Sequence, residues 1–132
     1  MKPIIAAVAD HAWVENGCLS LCRTFDTINA PAFPYKIPRI SIGVRLLVGR
    51  SEYGPHKLAI LFRDAEGNNL INAQSDMNVI PPPNSLPETS YSFAVNGQNI
   101  EFKKPGDYQV VLLIDGTEMA NIPIYVRQIF NK

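Results

Sequence analysis

From Ile40 to Gly49 the side chains alternate without a break. Ile40, Ile42, Val44, Leu46 and Val48 share one face, and Ser41, Gly43, Arg45, Leu47 and Gly49 share the other. A period of two is that of a β-strand, whose successive side chains point to opposite sides, so the first set is core. The same period returns at 56–64 with Leu58, Ile60 and Phe62 inward, and at 89–96 with Tyr91, Phe93 and Val95. It returns again at 108–115 with Tyr108, Val110, Leu112 and Ile114. Between these runs stand turn signals: Glu15-Asn16-Gly17, linking 4–14 to 18–25, then Ala65-Glu66-Gly67-Asn68, then Asp115-Gly116 before a last strand near 120–130. Asn-Gly and Asp-Gly pairs are the preferred centres of tight hairpins because both central residues take positive φ. The pattern predicts an all-β chain of about eight or nine strands, a single-domain antiparallel β-sandwich of immunoglobulin-like or C2-like type over residues 1–132.

Proline refines the picture. Eleven prolines leave no room for a long helix. Pro31, Pro34 and Pro38 cannot join a central ladder, so the stretch around them is expected to cross between sheets or wrap an edge, and a second proline-rich stretch at 81–87 interrupts the chain again. After that break "TSYSFAVN" reads as one strand and "NIEF" as a separate short extended piece. Four apolar residues fall on outward positions: Leu47, Leu61, Val111 and Leu113. A strand apolar on both sides is either covered by loops, here 31–38 and 81–87, or lies at an interface, and a homo-oligomer through a sheet face or edge is the second reading.

The stretch "KKPGDYQVVLLIDG" at 103–116 puts Pro105-Gly106 in a turn and Tyr108 at the head of a strand. It resembles the turn-and-tyrosine corner of immunoglobulin-like sandwiches, which implies a buried ring and a hydroxyl returned to nearby backbone. The glycine spacing and following helix of a phosphate loop are absent. The chain also resembles a family of uncharacterised bacterial and phage-associated proteins, on "VADHAWVENGCLSLC", "ISIGVRLLVGRSEYGPHKLAILFRDAEGNNL" and "FKKPGDYQVVLLIDG". That resemblance implies a β-sandwich and carries no activity.

Composition narrows function by exclusion. Twelve Lys and Arg against twelve Asp and Glu give no global field for nucleic acid or an anionic membrane. The apolar run Ile4–Ala9 is too short for a signal-peptide core or a membrane span, which favours a cytoplasmic protein. Cys18 and Cys22 lie four apart; on one strand their Cα atoms stand roughly 13 Å from each other, beyond disulfide reach, so both are expected as free, buried thiols in a reducing compartment.

No motif marks an enzyme. Asp10, His11 and Glu15 are metal-ligand types, and Cys18 or Cys22 with His11 is a nucleophile–base combination, but nothing in their spacing makes them converge. His56 reads as a loop-exit residue, and Asp64 with Glu66 and Asp115 with Glu118 as turn carboxylates rather than a calcium site. No cofactor is implied. One asymmetry remains: Lys36, Arg39, Arg45 and Arg50 follow Phe33 and Tyr35 with no acid between 36 and 50. Arginine forks beside an aromatic face suit a small anionic, nucleotide-like ligand. The leading expectation is a non-catalytic interaction module that binds a protein partner or itself through its proline-rich loops; capture of a small anion by segment 36–50 is the alternative.

Overall fold

The computed structural model describes residues 1–81 and 88–129. Among them nine strands form two sheets. They are β1 (Lys2–Glu15), β2 (Cys18–Thr24), β3 (Thr27–Ala30), β4 (Tyr35–Gly49), β5 (Gly54–Arg63), β6 (Asn69–Val79), β7 (Glu88–Phe102), β8 (Gly106–Ile114) and β9 (Thr117–Gln128). One sheet, A, runs β2-β1-β4-β7, and the other, B, runs β3-β9-β8-β5-β6. The sandwich is antiparallel as expected except for one parallel pair, β3 with β9. That pair arises because β2 belongs to sheet A and the next strand, β3, to sheet B, so the chain changes layer before it can fold back.

The inward sets pack between the layers. Ile40, Ile42, Val44, Leu46 and Val48 from sheet A meet Leu58, Ile60, Phe62, Val110, Leu112 and Ile114 from sheet B, all buried. At one end three rings close the core: Phe102 stands edge-on to Tyr108 at 5.1 Å, and Phe62 lies 5.7 Å from Phe102. Tyr108 is 3% exposed, and its hydroxyl donates to the Lys104 carbonyl at 2.7 Å, as the tyrosine-corner resemblance implies. Burial pushes its phenol pKa up. The turns follow their residues as well. Asn16 and Gly17 have φ of 51° and 75°, and Asp115 and Gly116 have 52° and 81°, the two consecutive left-handed residues of a two-residue hairpin.

Several details differ from the sequence reading. The pieces "TSYSFAVN" and "NIEF" are one strand, β7, in which left-handed Asn99 (φ 54°) marks the place where the inward set changes from Tyr91, Phe93 and Val95 to Ile100 and Phe102. Pro38 lies inside β4, where the neighbour is β7 alone, and the rung opposite it is missing from an otherwise regular register. Leu61 and Val111 are 6% and 1% exposed within the single chain and so present little surface to a partner, while Leu47 and Leu113 are half-buried. Of the two proline-rich stretches proposed as cover, residues 82–87 lie outside the described residues.

The outer face of sheet A has its own cover. β1 pairs with β4 up to Ala9 and with β2 from Ala9 onward, so its second half leaves the sheet as a hairpin. Leu19, Leu21 and Ala12 of that hairpin sit directly over Gly43, where a β-carbon would collide with the Leu21 side chain and crowd the other two. Glycine at 43 is the space that lets the hairpin down onto the sheet. Beside it Ser41, fully buried, donates to the Asn96 side-chain oxygen.

Candidate binding site

The change of layer leaves a groove. β2 ends at Thr24, residues 25–26 cross to β3, and residues 31–34 return the chain to β4. Two backbone bonds fix the crossing: the Phe25 N–H donates to the Val8 carbonyl at 3.1 Å, and the Tyr125 N–H to the Asp26 carbonyl at 2.7 Å. The groove holds about 730 Å³ and its lining includes Asp10 of β1, Arg23 and Thr24 of β2, Asn29 of β3, Tyr35 and Arg39 of β4 and Gln98 of β7.

Its electrostatics turn on Asp10. The Asp10 carboxylate takes the Arg23 Nε at 3.2 Å, and the Asp10 carbonyl accepts from the Arg39 Nε at 3.0 Å. Two guanidiniums thus meet one aspartate, Arg23 at its carboxylate and Arg39 at its backbone carbonyl, leaving a local excess of one positive charge beside Tyr35 and the Asn29 and Gln98 amides. The Arg23 side chain is 83% exposed, so its pair with Asp10 orients the side chain more than it stabilises the fold. Arg23 also has a φ of 59°, a left-handed conformation that non-glycine residues adopt rarely and at a cost of order 1–3 kcal/mol.

The sequence-predicted residues do not gather in one place. Tyr35 and Arg39 line the groove. Phe33 packs against the core. Lys36 is exposed on β4 opposite Glu101. Arg45 faces outward and donates to the Ser90 hydroxyl at 3.3 Å, and Arg50 begins a short 3-10 turn, Arg50–Glu52, past the far end of β4. Lys36 and Arg50 stand roughly 45 Å apart along an extended strand, so segment 36–50 is not one basic surface. Arg23, Asp10 and Gln98 complete the groove instead.

The remaining chemistry stays dispersed. Both cysteines are free and exposed, not buried: β2 is an edge strand, and Cys18 and Cys22 lie on the opposite face from Leu19 and Leu21. His11 stands opposite Cys22 and stacks on Trp13 with ring centroids 4.9 Å apart. No group of three or more metal-ligating side chains gathers among the described residues. Asp64 accepts from the Glu66 and Asn68 N–H groups at 2.9 Å each, and Glu66 pairs with Lys104, so these acids serve their turn.

His56 is less free than its loop-exit position suggests. Its Nδ1 meets the Asp115 carboxylate at 2.5 Å and its Nε2 the Glu52 carbonyl at 2.5 Å. Both partners are acceptors, so both ring nitrogens donate only when the imidazole is protonated. The Asp115 hydrogen bond, then the Glu52 carbonyl, raise the His56 pKa. A raised folded pKa gives stability that is fully present below about pH 6.5 and is lost as pH rises through the folded value. Thermal melts between pH 6 and 9 are expected to show this fall in the natural chain and a flatter profile in His56→Gln; parallel profiles would show that the two His56 hydrogen bonds do not set it.

Residues 4–127 match the model of a family described as a family of unknown function, DUF6941. The chain belongs to this family. DUF6941 therefore covers nearly all of both sheets and every groove residue named above. No curated protein matches the chain. Among solved structures, an immunoglobulin-like protein from Pseudomonas aeruginosa is 11% identical with a TM-score of 0.45, over 91% of each chain. The alkylpurine DNA glycosylase AlkC of Pseudomonas fluorescens, bound to DNA containing an abasic site analog, is 13% identical with a TM-score of 0.45; the match covers 77% of this chain and spans only 27% of the glycosylase. No helix among the described residues is long and apolar enough to cross a membrane.

Proposed function

We propose that this protein is a non-catalytic binding module that holds a small organic anion, through its phosphate or carboxylate group, in the groove between β2, β3 and the start of β4. The observation that carries the reading is that two guanidiniums converge on Asp10, Arg23 at its carboxylate and Arg39 at its backbone carbonyl, with one carboxylate between them. Guanidinium forks bind carboxylate and phosphate in two-point geometry, and the Tyr35 ring in the same lining suits a flat, nucleotide-like body. The proline-rich segment 31–38 contributes to that lining, which joins the loop-based and anion-based expectations in one place. Exposed free thiols at Cys18 and Cys22 fit the reducing, cytoplasmic setting expected from the cysteine spacing.

Calorimetric titration with adenosine monophosphate and with inorganic phosphate at low salt tests this. Arg39→Glu is expected to weaken binding at least tenfold, about 1.4 kcal/mol, in line with the loss of a charge-assisted hydrogen bond. Arg45→Glu, roughly 20 Å farther along the same face of β4, leaves it unchanged. Affinity should fall with added salt because the site is open to solvent. No binding of either probe, or equal affinity in a folded Arg39→Glu variant, overturns the reading.

A further inference from the structure

An edge strand exposes a row of unpaired backbone N–H and C=O groups, and proteins blunt such edges with short length, proline, lysine, charge or a bulge. Sheet A ends on β7. It pairs with β4 along one side, and no strand among the described residues pairs with the other. β7 is 15 residues long, and its register with β4 runs without a shift. From Thr89 to Gln98 it carries no charge, no proline and no left-handed residue.

The other edges are blunted. β3 has four residues; β2 has seven and contains left-handed Arg23 near its end. β6 carries Asp76, ion-paired with Lys57 at 2.6 Å; its middle sets small Ala73 and Ser75 opposite the core residues Ile60 and Leu58, and its larger inward side chains, Ile71, Met77 and Val79, lie toward its ends. β7 does the reverse. Tyr91, Phe93 and Val95 stand opposite the buried Leu46, Val44 and Ile42, yet all three are only half-buried. The Tyr91 and Phe93 rings lie 6.1 Å apart at this open margin of the core.

We infer that a second copy of this chain completes the edge: two β7 strands pair antiparallel about a two-fold axis at Phe93 and join two four-stranded sheets into one of eight. Phe93 then meets the partner's Phe93, and Tyr91 meets the partner's Val95, so the half-buried inward side chains cover each other. The strand is its own complement in charge. Glu88 falls opposite the partner's Gln98, and Glu101 lies outside the paired length, so no two acids face one another. A neutral ladder matched in length to an identical ladder selects a second copy over a charged peptide.

Native mass spectrometry and sedimentation of the full chain are expected to give twice the 14.6 kDa chain mass. Hydrogen exchange should slow at amides of 89–97 in the dimer relative to protein diluted to monomer. Phe93→Cys, in a Cys18→Ser/Cys22→Ser background, should cross-link to a dimer on oxidation, because residues on the axis have Cα atoms within disulfide reach. If that variant does not fold, exchange in the natural chain decides. A monomer at the highest soluble concentration, or a dimer whose β7 amides exchange no more slowly, overturns the inference.

Discussion

Phe102→Ala is expected to lower the free energy of unfolding by about 3–5 kcal/mol, the usual range for truncating a fully buried phenylalanine. Phe102 has no exposed surface and lies edge-on to Tyr108, within 5.7 Å of the Phe62 ring. It comes from sheet A, and both neighbours come from sheet B, so the trio joins the layers. Removing the central ring leaves a cavity that neither neighbour can fill, since Tyr108 is tied to Lys104 through its hydroxyl. Small domains have only about 5–15 kcal/mol in all, so the variant should be folded but marginal. Urea unfolding checks this as a lower midpoint at unchanged slope. A loss below about 1 kcal/mol, under the usual range for such truncations, would mean that the layers are joined elsewhere.

Gly43→Val is expected to act on stability and binding together. A β-carbon at 43 has no room beneath Leu21, Leu19 and Ala12, and overpacking of this kind costs about 1–3 kcal/mol. The Leu21 side chain is displaced first, and the added valine methyls then lift the hairpin. Asp10 and Arg23 sit on its two strands, so the groove loses one of its guanidiniums while Arg39 stays on β4. Unfolding and calorimetry on the same sample should show both losses. Adding Leu21→Ala should restore part of the stability, a non-additive pair of the kind that touching residues give. A destabilised variant that binds adenosine monophosphate normally would show that the hairpin does not position Arg23.

Why the sandwich was legible and the groove was not follows from the range of each signal. The inward sets of β4, β5 and β8 are written as a period of two, and the turns at Asn16-Gly17 and Asp115-Gly116 as residues that tolerate positive φ. These are local. The phase change in β7 defeats the same rule, because left-handed Asn99 shifts the inward positions from odd to even without interrupting the strand. Cys18 and Cys22 are expected inside because their spacing fits neither a disulfide nor a metal motif, yet their strand is an edge strand folded over the outside of a sheet. The groove depends on contacts between segments far apart in sequence. Lys36, Arg39 and Arg45 share β4 and Arg50 follows its end, but the strand's length and alternation scatter them. Arg23 carried a usable signal: with Glu15 opposite Cys18, counting outward from the Asn16-Gly17 turn brings Asp10 opposite Arg23. Arg39 reaches the same aspartate only because β4 passes beneath the hairpin, which no local pattern records.

The most direct test of the account is a chemical-shift map of the isotopically labelled chain titrated with adenosine monophosphate. The account predicts saturable shifts confined to Asp10, Arg23, Thr24, Tyr35, Arg39 and Gln98. Shifts centred on Arg45 and Arg50, or a spectrum that does not change at saturating ligand, would contradict it.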